Sequence, residues 1–324
     1  MVAAPASPGG PPLSPCAGFV ADSLILPTRN ARLFAPVFAL VLAHTFVFLA
    51  VAVHFAHEYA LSGPTIWLHP AALLVLHLAY LASKFGTQAA VALAACATLR
   101  GDRPRSLAEL VRGTPRPRGI FACAALVAAA ELASTAVPAY YLHSWYRYSW
   151  SHSDTGGVES FVQGVLLFVF LATLLLRLCL AAVFPVAIAA SATAATEEGG
   201  DVGVGAAAHL QRAWRLITAA ASWKEAALQV LVVSVVLPLA TYPVYAFALN
   251  CGQGGCVLLL GSLFGFLLPS AGVQLYSAVA ATVFYHRCMD QQRRRDLAIP
   301  LMMKDMKLGG TPLNSLKLIK GAIA

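Results

Sequence analysis

The chain has 324 residues, 59% of them hydrophobic and only 11% charged, with a mean hydropathy of +0.72. A soluble domain carries about 25% charged residues, and the apolar runs here are too long for a soluble core. This composition excludes an ordinary soluble enzyme, a disordered chain and a nucleic-acid-binding domain, and predicts an all-α, polytopic transmembrane helical bundle. The net charge of +8 reads first as the positive-inside bias of a membrane protein.

Residues 1–17 are rich in Pro, Gly, Ala and Ser, and the first basic residue is Arg29. That is not the basic-then-apolar start of a signal peptide, and it predicts a disordered N-terminal tail. Six apolar runs follow, at about 33–55, 66–99, 119–140, 159–196, 226–249 and 255–286. A span needs roughly 20 apolar residues. The second run is broken only by Lys84 and the fourth only by Arg177. At 1.5 Å per residue these two runs would measure about 51 and 57 Å against a ~30 Å hydrocarbon core. Each is read as one long helix that tilts or protrudes. The expectation is a six-span membrane domain over 18–290 and a basic cytoplasmic tail over 291–324.

The charges orient the spans. Of the 22 Lys+Arg, 19 fall in the N-terminal flank, the connections 100–118 and 197–224, and the C-terminal tail. The alternate connections hold only Arg147. Both termini are therefore expected on the cytoplasmic side. On the other side, the 141–158 connection opens with Tyr140-Tyr141-Leu142-His143-Ser144-Trp145-Tyr146-Arg147-Tyr148-Ser149-Trp150, which suits the headgroup region.

The two long runs begin a common plan: a long helix with an embedded basic residue, a cytoplasmic amphipathic segment, then another span. After the first, Ser106 and Glu109 form a capping-box pattern, with Leu107, Leu110 and Val111 as the apolar stripe. After the second, Leu210, Trp214 and Ile217 share a helical face, with His209, Arg212 and Arg215 towards the other. Both segments read as helices in the cytoplasmic interface. The plan amounts to a parallel internal repeat, an arrangement found in transporters and in plain membrane scaffolds.

The start, Ser23-Leu24-Ile25-Leu26-Pro27-Thr28-Arg29-Asn30-Ala31-Arg32-Leu33-Phe34, resembles the entry of a plant family of uncharacterised six-span membrane proteins. The Ala94–Val111 stretch with its Arg-Gly-Asp-Arg-Pro-Arg-Ser connection, and the ending Thr282-Val283-Phe284-Tyr285-His286-Arg287-Cys288, are similar in pattern to that family. The resemblance covers about 18–290. It extends more distantly to bacterial membrane domains attached to glycerophosphodiesterases, whose phosphodiesterase domain has no counterpart here. The family implies no established activity and no catalytic residues.

Candidate sites follow from chemistry in unusual places. Lys84, Glu131 and Arg177 lie within spans, where charge is costly and often functional. They form a polar site or proton-linked path on one reading, and a buried ion pair or snorkelling cations on the other. His54 and His57 stand at i, i+3, with Glu58 and Asp154 as oxygen donors in reach. Together with His69, His143 and His152, however, they read better as polar interfacial histidines, so no metal site is assigned. Cys251 and Cys256 flank a Gly-rich turn on the non-cytoplasmic side, where they either close a disulfide, which would persist there, or stay free thiols. Cys288, beside Arg293-Arg294-Arg295, suits palmitoylation and contact of the basic tail with anionic lipid. Gly261 and Gly265 form a GxxxG in the sixth span, a surface for homo- or hetero-oligomers.

No Walker A, GxSxG, GxGxxG, HExxH or EF-hand pattern occurs. The expectation is a protein with no enzymatic activity and no cofactor. Its leading role is membrane organisation or adaptor function in the endoplasmic reticulum, another endomembrane, or the plasma membrane. The rivals are a small transporter using the intramembrane charges and an intramembrane lipid-acting enzyme.

Overall fold

The computed structural model describes residues 15–62, 70–102, 104, 106–114, 117–151, 158–196, 205–218 and 267–307, with isolated positions at 227, 228, 231, 236 and 239. Among the described residues every regular element is a helix. In chain order these are α1 (Pro15–Arg29), α2 (Ala31–Ser62), α3 (Pro70–Arg100), α4 (Leu107–Arg112), α5 (Pro117–Ser151), α6 (Val158–Thr196), α7 (Ala206–Thr218) and α8 (Leu268–Lys307).

Three of these helices are long and apolar enough to cross a membrane, over Ala31–Val51 in α2, Arg118–Pro138 in α5 and Phe161–Thr196 in α6. They carry exposed large apolar side chains, among them Phe46, Val47, Phe161, Phe168 and Leu175. Water would penalise such a surface, whereas acyl chains would not. The chain is an integral membrane protein on this ground. Apart from those isolated positions, the expected fifth span lies outside the described residues, as does the first part of the sixth with Gly261 and Gly265.

The core sits at one end of the bundle. It takes the starts of α2 and α5, the ends of α3 and α6 and the first half of α8, from Leu33 and Val37 through Ala92–Ala97, Cys123 and Val127, Val186–Ala190 and Val279–Ala281. Small residues dominate this list. They let helix backbones approach closely, which is how helices associate where lipid removes the hydrophobic drive. The ends that meet also fix direction: α3, α6 and α8 run towards this end, and α2 and α5 run away from it.

Local sequence chemistry explains how the chain turns there. Helix α3 stops at Gly101, whose φ of 85° lies in the left-handed region. The Gly101 amide donates to the Thr98 carbonyl at 3.2 Å and the Asp102 amide to that of Ala97 at 2.9 Å, a Schellman closure. Ser106 then caps α4, its Oγ accepting from the Glu109 amide at 3.1 Å. Arg100 reaches sideways and donates to the Thr196 carbonyl at 2.7 Å and the Thr193 carbonyl at 3.3 Å, satisfying the exposed C-terminal turn of α6.

Several features differ from the sequence expectation. A third short helix, α1, precedes the first span and begins at Pro15, inside the stretch expected to be a tail. Phe19, Ser23 and Leu26, at i, i+4 and i+7, bury one face of it, while Leu24 and Ile25 stay exposed. Asp22 accepts from Arg287 Nη2 of α8 at 2.6 Å. Helix α5 continues through the aromatic segment to Ser151, where a connection was expected. Helix α8 runs on to Lys307, past the expected tail boundary at 291. On α7 the buried residues are His209 and Ala213, while Trp214 is 41% exposed. The docking face is therefore rotated from the Leu210–Trp214–Ile217 stripe, because the small Ala213 permits close approach to the core and leaves the amphipathic indole to the interface.

Candidate functional site

The three charges within the apolar runs do not converge on one point. Lys84 Nζ on α3 donates to Glu131 Oε1 on α5 at 2.5 Å, with side-chain exposures of 24% and 12%. Arg177 on α6 is half-buried and takes no part in that pair. The sequence left Lys84 and Arg177 as equal partners for Glu131; the packing of α3 against α5 brings Lys84 to it.

Around the pair lies a polar and aromatic layer. His44 of α2 shares a 2.8 Å hydrogen bond through Nδ1 with Ser83 Oγ of α3. The His44 ring stacks on Tyr80 at 5.5 Å and tilts against Phe48 at 5.0 Å. Lys84 Nζ stands 6.0 Å from the Tyr80 ring and 5.4 Å from that of Phe85, so its cation meets the negative faces of both. Gln274 Nε2 of α8 donates to Thr45 Oγ1 of α2 at 3.1 Å. His77 Nε2 and Gln88 Oε1, buried on the same α3 stripe as Tyr80 and Lys84, have no hydrogen-bond partner among the described residues.

His44, Ser83, Tyr80 and Gln274 were not singled out from the sequence. One signal was available: His77, Tyr80, Lys84 and Gln88 recur at helical spacing and mark a polar face on an otherwise apolar helix. Nothing in the sequence pairs that face with a particular histidine thirty-odd positions earlier.

The other candidates stay apart from this layer. His54 is exposed on α2. The side chains of His57, Glu58, His69, His143, His152 and Asp154 lie outside the described residues, as do Cys251 and Cys256. Among the described residues no group of three or more His, Cys, Asp and Glu is placed to hold a metal. Cys288 is 7% exposed and packs in the core, so acylation there would need α8 to open locally.

At the end of the bundle where the core lies, α7 is held by Arg212. Its guanidinium lies 5.8 Å from the Tyr285 ring, and its Nη2 donates to Met289 Sδ at 3.1 Å. His209, one turn earlier, is pushed below the ordinary imidazole range, first by burial and then by the Arg212 charge.

No protein-family model matches this chain, and neither a curated protein nor a solved structure matches it.

Proposed function

We propose that the chain is a six-span, non-enzymatic membrane protein that organises the cytoplasmic face of an endomembrane or the plasma membrane, with both termini cytoplasmic. The plant six-span resemblance belongs to the same proposal. What supports the topology is that the starts of α2 and α5, the ends of α3 and α6 and the stretch of α8 up to Cys288 meet where the arginine-rich segments lie. The short helices α1, α4 and α7 pack at that same end and present Arg29, Arg112 and Arg215 outward, and Arg118 at the start of α5 is exposed beside them in the chain. A basic platform of this kind suits an anionic leaflet.

The observation that carries the reading is the Lys84–Glu131 pair. Two opposite charges that neutralise each other make a brace between α3 and α5. Lys84 lies sixteen positions before Arg100 and Glu131 thirteen after Arg118, so both are roughly 20–24 Å from the basic end. In a ~30 Å core that is past the midplane, within a side chain's reach of the opposite interface.

A second reading, proton-linked transport, draws on the partnerless His77 and Gln88 atoms beside the pair, which water would satisfy. Proteoliposomes carrying a trapped pH dye decide between the two. Proton leakage equal to that of protein-free vesicles is expected. A leak that disappears in Glu131→Gln would establish transport instead.

A further inference from the structure

Between α3 and α5 lies a cavity of about 610 Å³ whose walls are almost wholly apolar. Alanines and a glycine create the space, with Ala82, Gly86 and Ala90 on α3 facing Ala124, Ala125 and Ala128 on α5. A Cβ at Gly86 would meet nothing within 4 Å. Leu78, Val111 and Phe121 on its border are exposed, so the groove opens sideways to the surroundings of the bundle. From Leu78 to Leu93 the α3 wall runs about 22 Å, longer than the ~15 Å of one leaflet.

The groove ends at Thr114, which it shares with a second cavity of about 400 Å³. That chamber is about half polar, with Arg100, Asp102, Glu109 and Thr196 among its lining beside Ala97, Pro104 and Leu110. Arg112 and Arg118, both exposed, follow and precede the groove residues Val111 and Ile120. The whole connection 100–118 holds six arginines against Asp102 and Glu109. An apolar slot leading to a part-polar chamber, with exposed arginines next in the chain to its lining, has the outline of one amphiphile. The arginines ask for a phosphate.

We propose that this groove binds a glycerophospholipid of the cytoplasmic leaflet, one acyl chain between α3 and α5 and its phosphate against Arg112 and Arg118. The proposal rests on the topology above, which puts the 100–118 connection at that leaflet. It differs from ordinary lipid contact in having a shaped slot that a single side chain can fill.

The test is native mass spectrometry of the full chain, delipidated in detergent and titrated with phosphatidylglycerol. The wild type should retain one lipid at detergent excess. Gly86→Leu, which adds an isobutyl group to the wall of the slot at a position open to a Cβ, should lower retention at least about tenfold. The surface double variant Arg112→Gln/Arg118→Gln should do the same and lose the salt dependence of binding. Retention unchanged in Gly86→Leu, with an unaltered elution volume and Tm, overturns the proposal, as does retention unchanged in the arginine variant. Cysteine labelling of the 100–118 connection in sealed cells separates the two claims. Lipid lost on filling the slot, with that connection labelled from outside, would keep the lipid site and overturn the topology.

Discussion

Arg100, the last residue of α3, closes the last turn of α6 by donating to the Thr196 and Thr193 carbonyls. One guanidinium thereby ties together two helices separated by almost a hundred positions, supplies donors to carbonyls that no intrahelical amide reaches, and sets a positive charge at the negative end of a helix dipole.

Arg100→Ala should therefore destabilise the bundle by about 1–2 kcal/mol, the scale of a charge-assisted hydrogen bond plus a dipole contribution. Arg100→Lys should recover only part of this, since an ammonium cannot present the planar fork. Thermal unfolding in detergent reads both. Equal stability of wild type and Arg100→Ala would mean that the contact contributes nothing.

Glu131→Ala strands Lys84 between α3 and α5, and the expected loss is about 3 kcal/mol, towards the low end for breaking a buried pair because neither side chain is fully enclosed. Adding Lys84→Ala should restore roughly half of the lost folded yield. Adding Arg177→Ala should restore none of it, because Arg177 is not in the pair. Rescue by Arg177→Ala would reverse the assignment.

The docking of α7 should weaken in acid. His209 is held below the ordinary imidazole range by burial and by Arg212, so undocked α7 takes up a proton more readily than docked α7. The stability of the docked state is present above about pH 6.5, the free imidazole value, and falls as pH drops below it. Hydrogen-exchange protection of 206–218, corrected for intrinsic rates, should decline between pH 7.5 and 5.5. His209→Leu should abolish the pH dependence while keeping the helix docked.

The pattern of residues made some elements plain and left others hidden. The unbroken helices around Lys84 and Arg177 were legible, because one charge in more than thirty apolar positions does not stop a helix. The start of α4 was legible in Ser106 and Glu109, since a cap is local chemistry. Helix α1 was not, because its Pro-rich lead suggests disorder and its helix is held by Phe19, Ser23 and Leu26 packing against elements far along the chain. The His209 face of α7 failed for a related reason. Periodicity weighs apolar size, whereas the core selected the small Ala213 and turned Trp214 outward. The Lys84–Glu131 contact was one of two equal pairings until the α3–α5 packing chose it. The His44 layer needed three helices to be assembled before it existed at all.

Single-cysteine accessibility most directly tests the central claim, that the arginine-rich ends share the cytoplasmic face. In a background with the native cysteines replaced by serine or alanine, cysteines placed at Arg112, Arg215 and Arg294 should resist a membrane-impermeant maleimide in sealed cells or vesicles of native orientation, and react once the membrane is opened. A cysteine at Trp150 should react at once if its membrane is the plasma membrane, and only after lumenal access if it is an endomembrane. Reaction of Arg112→Cys from the same side as Trp150→Cys would contradict the account.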